Sequence, residues 1–137
     1  MSARSIAKID ATQKSRLAKA GLRMFFNLAN LWDLTQEDQL LLLGLSSRTT
    51  LNNWRKKALN DEDIRLSVDS LERLSLIVGI RKGVELLYPH DRLNSYMKSP
   101  NREFGGRSMI DVMLEGSIRS LYQVRTYLDA SRGSHFG

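Results

Sequence analysis

The side chains best suited to recognition chemistry lie close together, in Ser47-Arg48-Thr49-Thr50-Leu51-Asn52-Asn53-Trp54-Arg55-Lys56-Lys57. Arginine can grip guanine bidentately and asparagine can do the same for adenine. Lysine neutralises phosphate. No acid occurs from Gly44 to Asn60, although a merely solvated helix face would be expected to carry some. The chemistry this points to is contact with DNA.

Such residues need a helix to hold them. Just before them stands Leu40-Leu41-Leu42-Leu43-Gly44-Leu45-Ser46. An apolar helix, a glycine-centred turn and a second, polar and basic helix form the pattern of a helix-turn-helix, whose second helix enters the major groove. Leu51, Trp54 and Ala58 fall on one face of that helix and should pack against Leu40–Leu43. The opposite face presents Thr49, Asn52, Asn53 and Lys56, with Arg48 and Thr50 at the N-terminal edge. The N-terminal end of a recognition helix reaches base edges, so Arg48, Thr49 and Asn53 are the base-contact candidates. Ser47, Thr50, Asn52, Lys56 and Lys57 are placed for phosphates, which position without specifying.

Composition agrees with a basic DNA-binding part. The chain has 137 residues, enough for one ordinary domain or two small ones. Hydrophobic residues make up 42%, which excludes global disorder. There is no cysteine, so disulfide and thiolate chemistry are excluded. No apolar run approaches the roughly 20 residues of a membrane span, and no signal peptide is evident, so the expected location is the cytoplasm. Net charge is +6. Residues 1–60 hold ten Lys/Arg and four acids, and residues 61–137 hold eleven of each. The excess positive charge therefore lies in the first 60 residues, where it attracts a polyanion. The two histidines, His90 and His135, have neither an H-x-x-x-H spacing nor a cysteine nearby. Gly105-Gly106 lacks the strand and the Lys-Ser/Thr of a phosphate loop. No nucleophile–base pair is discernible. No enzymatic activity, metal or cofactor is expected.

The pattern along the chain is helical throughout, with no period-two segment long enough for a strand. Residues 1–12 read as a frayed end. Leu17, Gly21, Met24, Phe25, Leu28, Leu31 and Trp32 form one stripe of a helix over 13–31. Thr35 caps the next helix and Gly44 ends it. Asn60-Asp61-Glu62-Asp63 is an acidic connector, which places the change of domain at 60/61. Beyond it, Ile64 to Val78 suggest a second helical core, with Asp69 or Ser70 near its start. Gly79 and Gly83 break or bend the run, and Val84–Leu87 continue a short helix to Pro89. Leu93, Tyr96 and Met97 mark another short helix, stopped at Ser99-Pro100. Residues 101–107 are a loop. Ser108 caps Met109–Leu114, which Gly116 ends. Ser117 caps a last helix from Ile118 to about Asp129, and the tail after it has no periodicity.

The second half resembles the C-terminal, toxin-binding domain of the Xre/MbcA/ParS antitoxin family. The resemblance rests on Arg73–Ile80, on Leu86-Leu87 and above all on Ser99-Pro100-Asn101-Arg102-Glu103-Phe104-Gly105-Gly106-Arg107-Ser108. That last stretch is similar to the family loop P-N-x-x-F-x-G-x-S-P at Pro100, Asn101, Phe104, Gly106 and Ser108, and Gly116 matches the glycine after the next short helix. Trp32-x-Leu34, Leu43-Gly44-Leu45-Ser46 and Trp54 resemble the family's Xre-like helix-turn-helix. Together these cover about residues 22–130. One position departs: Met109 stands where the family usually has proline.

The resemblance implies an all-α antitoxin of a type II toxin–antitoxin pair. It implies a RES-domain toxin as partner, one that consumes NAD⁺ or transfers ADP-ribose. It also implies autoregulation, with the helix-turn-helix bound to the operon's own promoter as a homodimer. Two alternatives stay open: a stand-alone transcription regulator whose C-terminal half dimerises, and an adaptor that binds no DNA.

The last helix supplies the toxin-facing candidates. Ile118, Leu121, Val124 or Arg125, and Leu128 form its core stripe. Its other side offers Arg119, Tyr122, Gln123, Thr126 and Tyr127, and leads on to Arg132, His135 and Phe136. Under the resemblance, the chain end lies close to or inside the toxin's cleft. Tyr127 or Phe136 would then occupy a base or ribose subsite, the terminal carboxylate a phosphate subsite, and residues from about Tyr127 onward would block access.

Overall fold

Short polar side chains set most of the helix boundaries. In the computed structural model, which describes residues 2–136 and side chains through 133, all regular structure is helical. The Thr35 hydroxyl accepts from Asp38 N while Thr35 N donates to the Asp38 carboxylate, a reciprocal cap that opens α3 (Gln36–Leu43). Ser108 and Asp111 repeat the device at the start of α7 (Met109–Met113). Ser47 caps α4 (Arg48–Leu59) by accepting from Thr50 N, and Ser117 accepts from Ser120 N at the start of α8 (Ile118–Phe136).

The N-terminus is not frayed as its composition suggested. Residues Ala3–Lys8 form α1, capped by Ser2, with Ile6 fully buried. Ala3 N donates to the Glu72 carboxylate at 3.0 Å. Six residues are too few for periodicity to register, and one buried isoleucine with a long-range hydrogen bond holds them.

The chain divides into two compact units, the first ending at Val78 and the second beginning at Gly79. The division lies later than the 60/61 change read from charge. In the first unit, α2 (Ala11–Leu31) buries Ala18, Gly21, Leu22, Phe25, Leu28 and Ala29, and α4 packs on α2 and α3. Leu31, expected in the stripe, is 47% exposed, because the helix ends there and Trp32 turns inward instead. Gly44 sits at φ 71°, and a Cβ on it would come within 2.8 Å of Arg73 Nε and Asp69 Oδ2. The left-handed backbone favours glycine, and a Cβ here would also displace the Arg73 and Asp69 side chains. Those side chains lie here because the start of the next helix caps α3: Ser70 Oγ donates to Leu43 O at 3.0 Å, and Arg73 Nη1 donates to Leu41 O at 3.2 Å. Ser70 is thus not the cap of its own helix. Ser67 is, accepting from Ser70 N.

That next helix, α5 (Val68–Leu87), runs unbroken through Gly79 and Gly83, against the expected break. A glycine inside a helix costs only about 1 kcal/mol. In the second unit both glycines make room for α8. A Cβ at Gly79 would collide with the Arg125 guanidinium, and one at Gly83 would press on Leu128 at 3.3 Å. The unit is completed by a 3-10 turn (His90–Arg92), α6 (Leu93–Lys98), a second 3-10 turn (Arg102–Phe104), α7 and α8. Its core includes Ile80, Val84, Leu93, Met97, Met109, Val112, Leu121, Val124 and Leu128. The helix α8 extends to Phe136, past the expected end near Asp129. No proline intervenes, and Gly133 alone does not stop it.

Candidate functional sites

All eight residues expected to meet DNA lie on α4 or at its cap. Leu51 and Ala58 are buried and Trp54 half-buried, which turns Thr49, Asn52, Asn53, Lys56 and Lys57 outward. Thr50 is half-buried, and the Ser47 hydroxyl is engaged in the cap. Arg48 forms an ion pair with Glu37 of α3, both well exposed. Exposed pairs of this kind contribute about 0–1 kcal/mol, so the guanidinium can exchange its carboxylate for a base or a phosphate at little cost.

Arg55 is the residue that sequence reasoning passed over. Its Nη2 donates to Gln39 Oε1 at 2.9 Å, its Nη1 donates to Asn52 Oδ1 at 3.3 Å, and its guanidinium lies 4.9 Å from the centre of the Phe26 ring. Gln39 in turn donates to Leu34 O. One arginine thereby ties α4 to α3 and α2 and orients Asn52. The only sequence signal was a glutamine at the start of a leucine run, and its partner is 16 residues away.

The charge distribution also differs from the expectation. Up to Val78 there are twelve Lys/Arg against nine Asp/Glu, and from Gly79 onward nine against six, so each unit carries the same excess. The acidic connector folds back on α2. Lys19 approaches Asp63 at 3.1 Å and Asp61 at 3.7 Å, and Arg23 reaches Asp61 at 3.1 Å and Ala58 O at 3.0 Å. The basic residues of α2 nearest α4 are therefore already neutralised.

In the second unit, Arg119, Tyr122, Gln123, Thr126 and Arg132 of α8 are exposed. Val124, not Arg125, is the core residue; Arg125 pairs with Asp129. Tyr127 is half-buried and committed to neighbours. Its ring meets Phe104 edge-on at 5.2 Å, and it neighbours the phenol of Tyr88, which stacks on Tyr96 at 3.7 Å. The side chains of His135 and Phe136 lie outside the described residues. The loop before α7 is a closed turn. Asn101 Oδ1 accepts from Glu103 N, Asn101 N donates to Arg107 O, and Gly106 N donates to Asn101 O. Gly105 and Gly106 have φ 66° and 90°. Phe104 fastens this turn to α8. Met109, the departure from the family loop, is 2% exposed. It leaves the Ser108 cap intact and adds a core side chain.

Among the described residues no group of three or more His, Asp or Glu is placed to hold a metal, and no helix is long and apolar enough to cross a membrane.

Comparison with known proteins gives these parts their context. Residues 13–79 match the antitoxin Xre-like helix-turn-helix domain. Residues 84–133 match the antitoxin Xre/MbcA/ParS C-terminal toxin-binding domain. The chain belongs to the Xre/MbcA/ParS antitoxin family. It is also 39% identical over 115 residues to the uncharacterized protein y4oB of Sinorhizobium fredii (strain NBRC 101917 / NGR234), across 83% of this chain and 85% of the relative. The helix-turn-helix match ends at Gly79, where the second compact unit begins, and the toxin-binding match lies within that unit. The antitoxin thus has a helix-turn-helix part and a toxin-binding part, and DNA and a toxin are its partner classes.

The Tyr88–Tyr127 pair of the toxin-binding part has a measurable signature. Burial, followed by the neighbouring Tyr127, pushes the Tyr88 phenol up to about 12. Its pKa is thus above the value of about 10 in an unfolded chain. Below pH 10 the contribution of this shift to stability is complete. As pH rises from about 10 to about 12 the unfolded chain binds fewer protons than the folded one, and stability falls. Ultraviolet titration should show one tyrosine ionising last, and Tyr127→Phe should bring that transition to lower pH. An unchanged late transition in Tyr127→Phe would refute the pairing.

Proposed function

We propose that this antitoxin binds and neutralises a RES-domain toxin and, as a cytoplasmic homodimer, represses its own operon. DNA contact is assigned within residues 1–60 and toxin contact within 61–137, with 61–78 serving the first unit structurally. The observation that carries the DNA half is the acid-free exposed face of α4, with the Arg48, Thr49 and Asn53 side chains in its N-terminal half. The RES identity of the toxin is supported by the family resemblance. The deciding experiment is co-expression with the product of the adjacent gene, read by growth and by pull-down. Growth restored with a stable complex is the expected result. A neighbouring toxin that is neither bound nor silenced would favour a stand-alone regulator.

Base reading by α4 has its own test. Arg48→Ala and Asn53→Ala should each weaken operator binding by about 1–3 kcal/mol and relax discrimination against other sequences. Lys56→Ala should weaken all sequences alike and flatten the salt dependence. These effects separate in titrations of operator and random duplex at several salt concentrations. An Arg48→Ala protein that binds both duplexes as before would remove α4 from base readout.

A further inference from the structure

We propose that a groove at the N-terminal end of α2 binds a small anion carrying a chain of phosphates, of the nucleoside polyphosphate or inorganic oligophosphate class. The groove has a volume of about 540 Å³, within the range of small-molecule sites. Lys14, Arg16, Lys19 and Arg65 line it, with the hydroxyls of Thr12 and Ser15. Its one acid, Asp63, is already occupied. Lys19 at 3.1 Å and Ser15 at 3.2 Å bond its carboxylate and hold it below the usual range for such a group. Lys14, Arg16 and Arg65 have no acidic partner among the described residues. Three uncompensated cations facing one concavity repel one another and raise the local concentration of anions. Arginine forks suit phosphate oxygens bidentately, lysine adds a point charge, and the Thr12 hydroxyl can donate to a further oxygen.

Position separates this groove from the DNA-reading end of α4. The helices α2 and α4 run antiparallel, because Arg23 meets Ala58 O while Arg55 covers Phe26. Ser15 lies eight residues before Arg23, about 12 Å further along α2 at 1.5 Å per residue. The Ser47 end of α4 lies the other way, 11 residues or about 16 Å along that helix from Ala58. The cations therefore sit toward the opposite end of the α2–α4 pair from Ser47 and Arg48. Operator binding through Arg48 and Asn53 should then not depend on these cations.

The test is calorimetric titration of the full chain with inorganic triphosphate, ATP and sulfate at matched ionic strength. Triphosphate should bind once per chain. The doubly substituted Arg16→Ala/Arg65→Ala protein should lose at least about tenfold in affinity, because each arginine supplies charge-assisted hydrogen bonds. Arg16→Lys/Arg65→Lys should retain most of the binding. Both arginines are exposed, so melting temperature should not move. Tighter binding of ATP than of triphosphate assigns the site to nucleotides, and equal or weaker binding assigns it to inorganic oligophosphate. The proposal is overturned by absent saturation, by sulfate binding as tightly as triphosphate, or by undiminished binding in the alanine variant. It is equally overturned if operator DNA displaces triphosphate and the alanine variant binds operator more weakly, because the cations then belong to the DNA surface.

Discussion

Removing residues 129–137 should abolish rescue of toxin-expressing cells and leave operator binding intact. The family resemblance suggested a cut before Tyr127, and the structure moves it. Tyr127 holds Phe104 and Tyr88, and Leu128 is 1% exposed against Gly83, so both belong to the core of the toxin-binding unit. From Asp129 to Gly133 no side chain is buried, and the Arg125–Asp129 pair lost with them is an exposed one, worth about 0–1 kcal/mol. Any loss of neutralisation then reports lost contact or lost blockage of the toxin, not misfolding. The measurement is growth at equal antitoxin abundance, with pull-down and operator titration alongside. Full rescue by the truncated protein would move inhibition to the surface that includes Arg119, Tyr122 and Gln123.

The second large effect concerns stability. Leu51→Ala should destabilise the first unit by about 2–5 kcal/mol and abolish DNA binding at physiological temperature. Leu51 is fully buried on the inner face of α4, between that helix and the α2 and α3 partners it packs on. It is the side chain that keeps Thr49, Asn52 and Asn53 turned outward. Removing it leaves a cavity as well as lost burial, and domains of this size have only about 5–15 kcal/mol in total. Leu51→Met conserves volume and should cost less than about 1.5 kcal/mol. Urea denaturation of both variants distinguishes the cases. Equal midpoints for the two would contradict the packing of α4.

Local rules made much of this molecule legible from the chain alone. The Thr35, Ser108 and Ser117 caps and the Gly44 end were readable, because capping is decided within three or four residues. The outward face of α4 was readable because one helical period fixes it once Leu51 and Ala58 point inward. The family loop was readable because Asn101 and Gly106 are required by the turn's own hydrogen bonds and by a φ of 90°. What failed was what depends on residues far away in sequence. Gly79 and Gly83 read as helix breaks because glycine's local cost is visible, whereas its benefit lies in Arg125 and Leu128, more than 40 residues on. The α1 segment read as frayed because its anchors, the burial of Ile6 and the Glu72 carboxylate, come from the folded chain. Arg55 read as one more cation until Gln39 and Phe26 were brought to it. The same holds for charge: ten bases against four acids placed the excess in the first 60 residues, and the fold returned Asp61 and Asp63 to Lys19 and Arg23. Periodicity and caps are short-range and written in the chain. Which cation finds an acid, and which glycine admits a neighbouring helix, is decided only when distant segments pack.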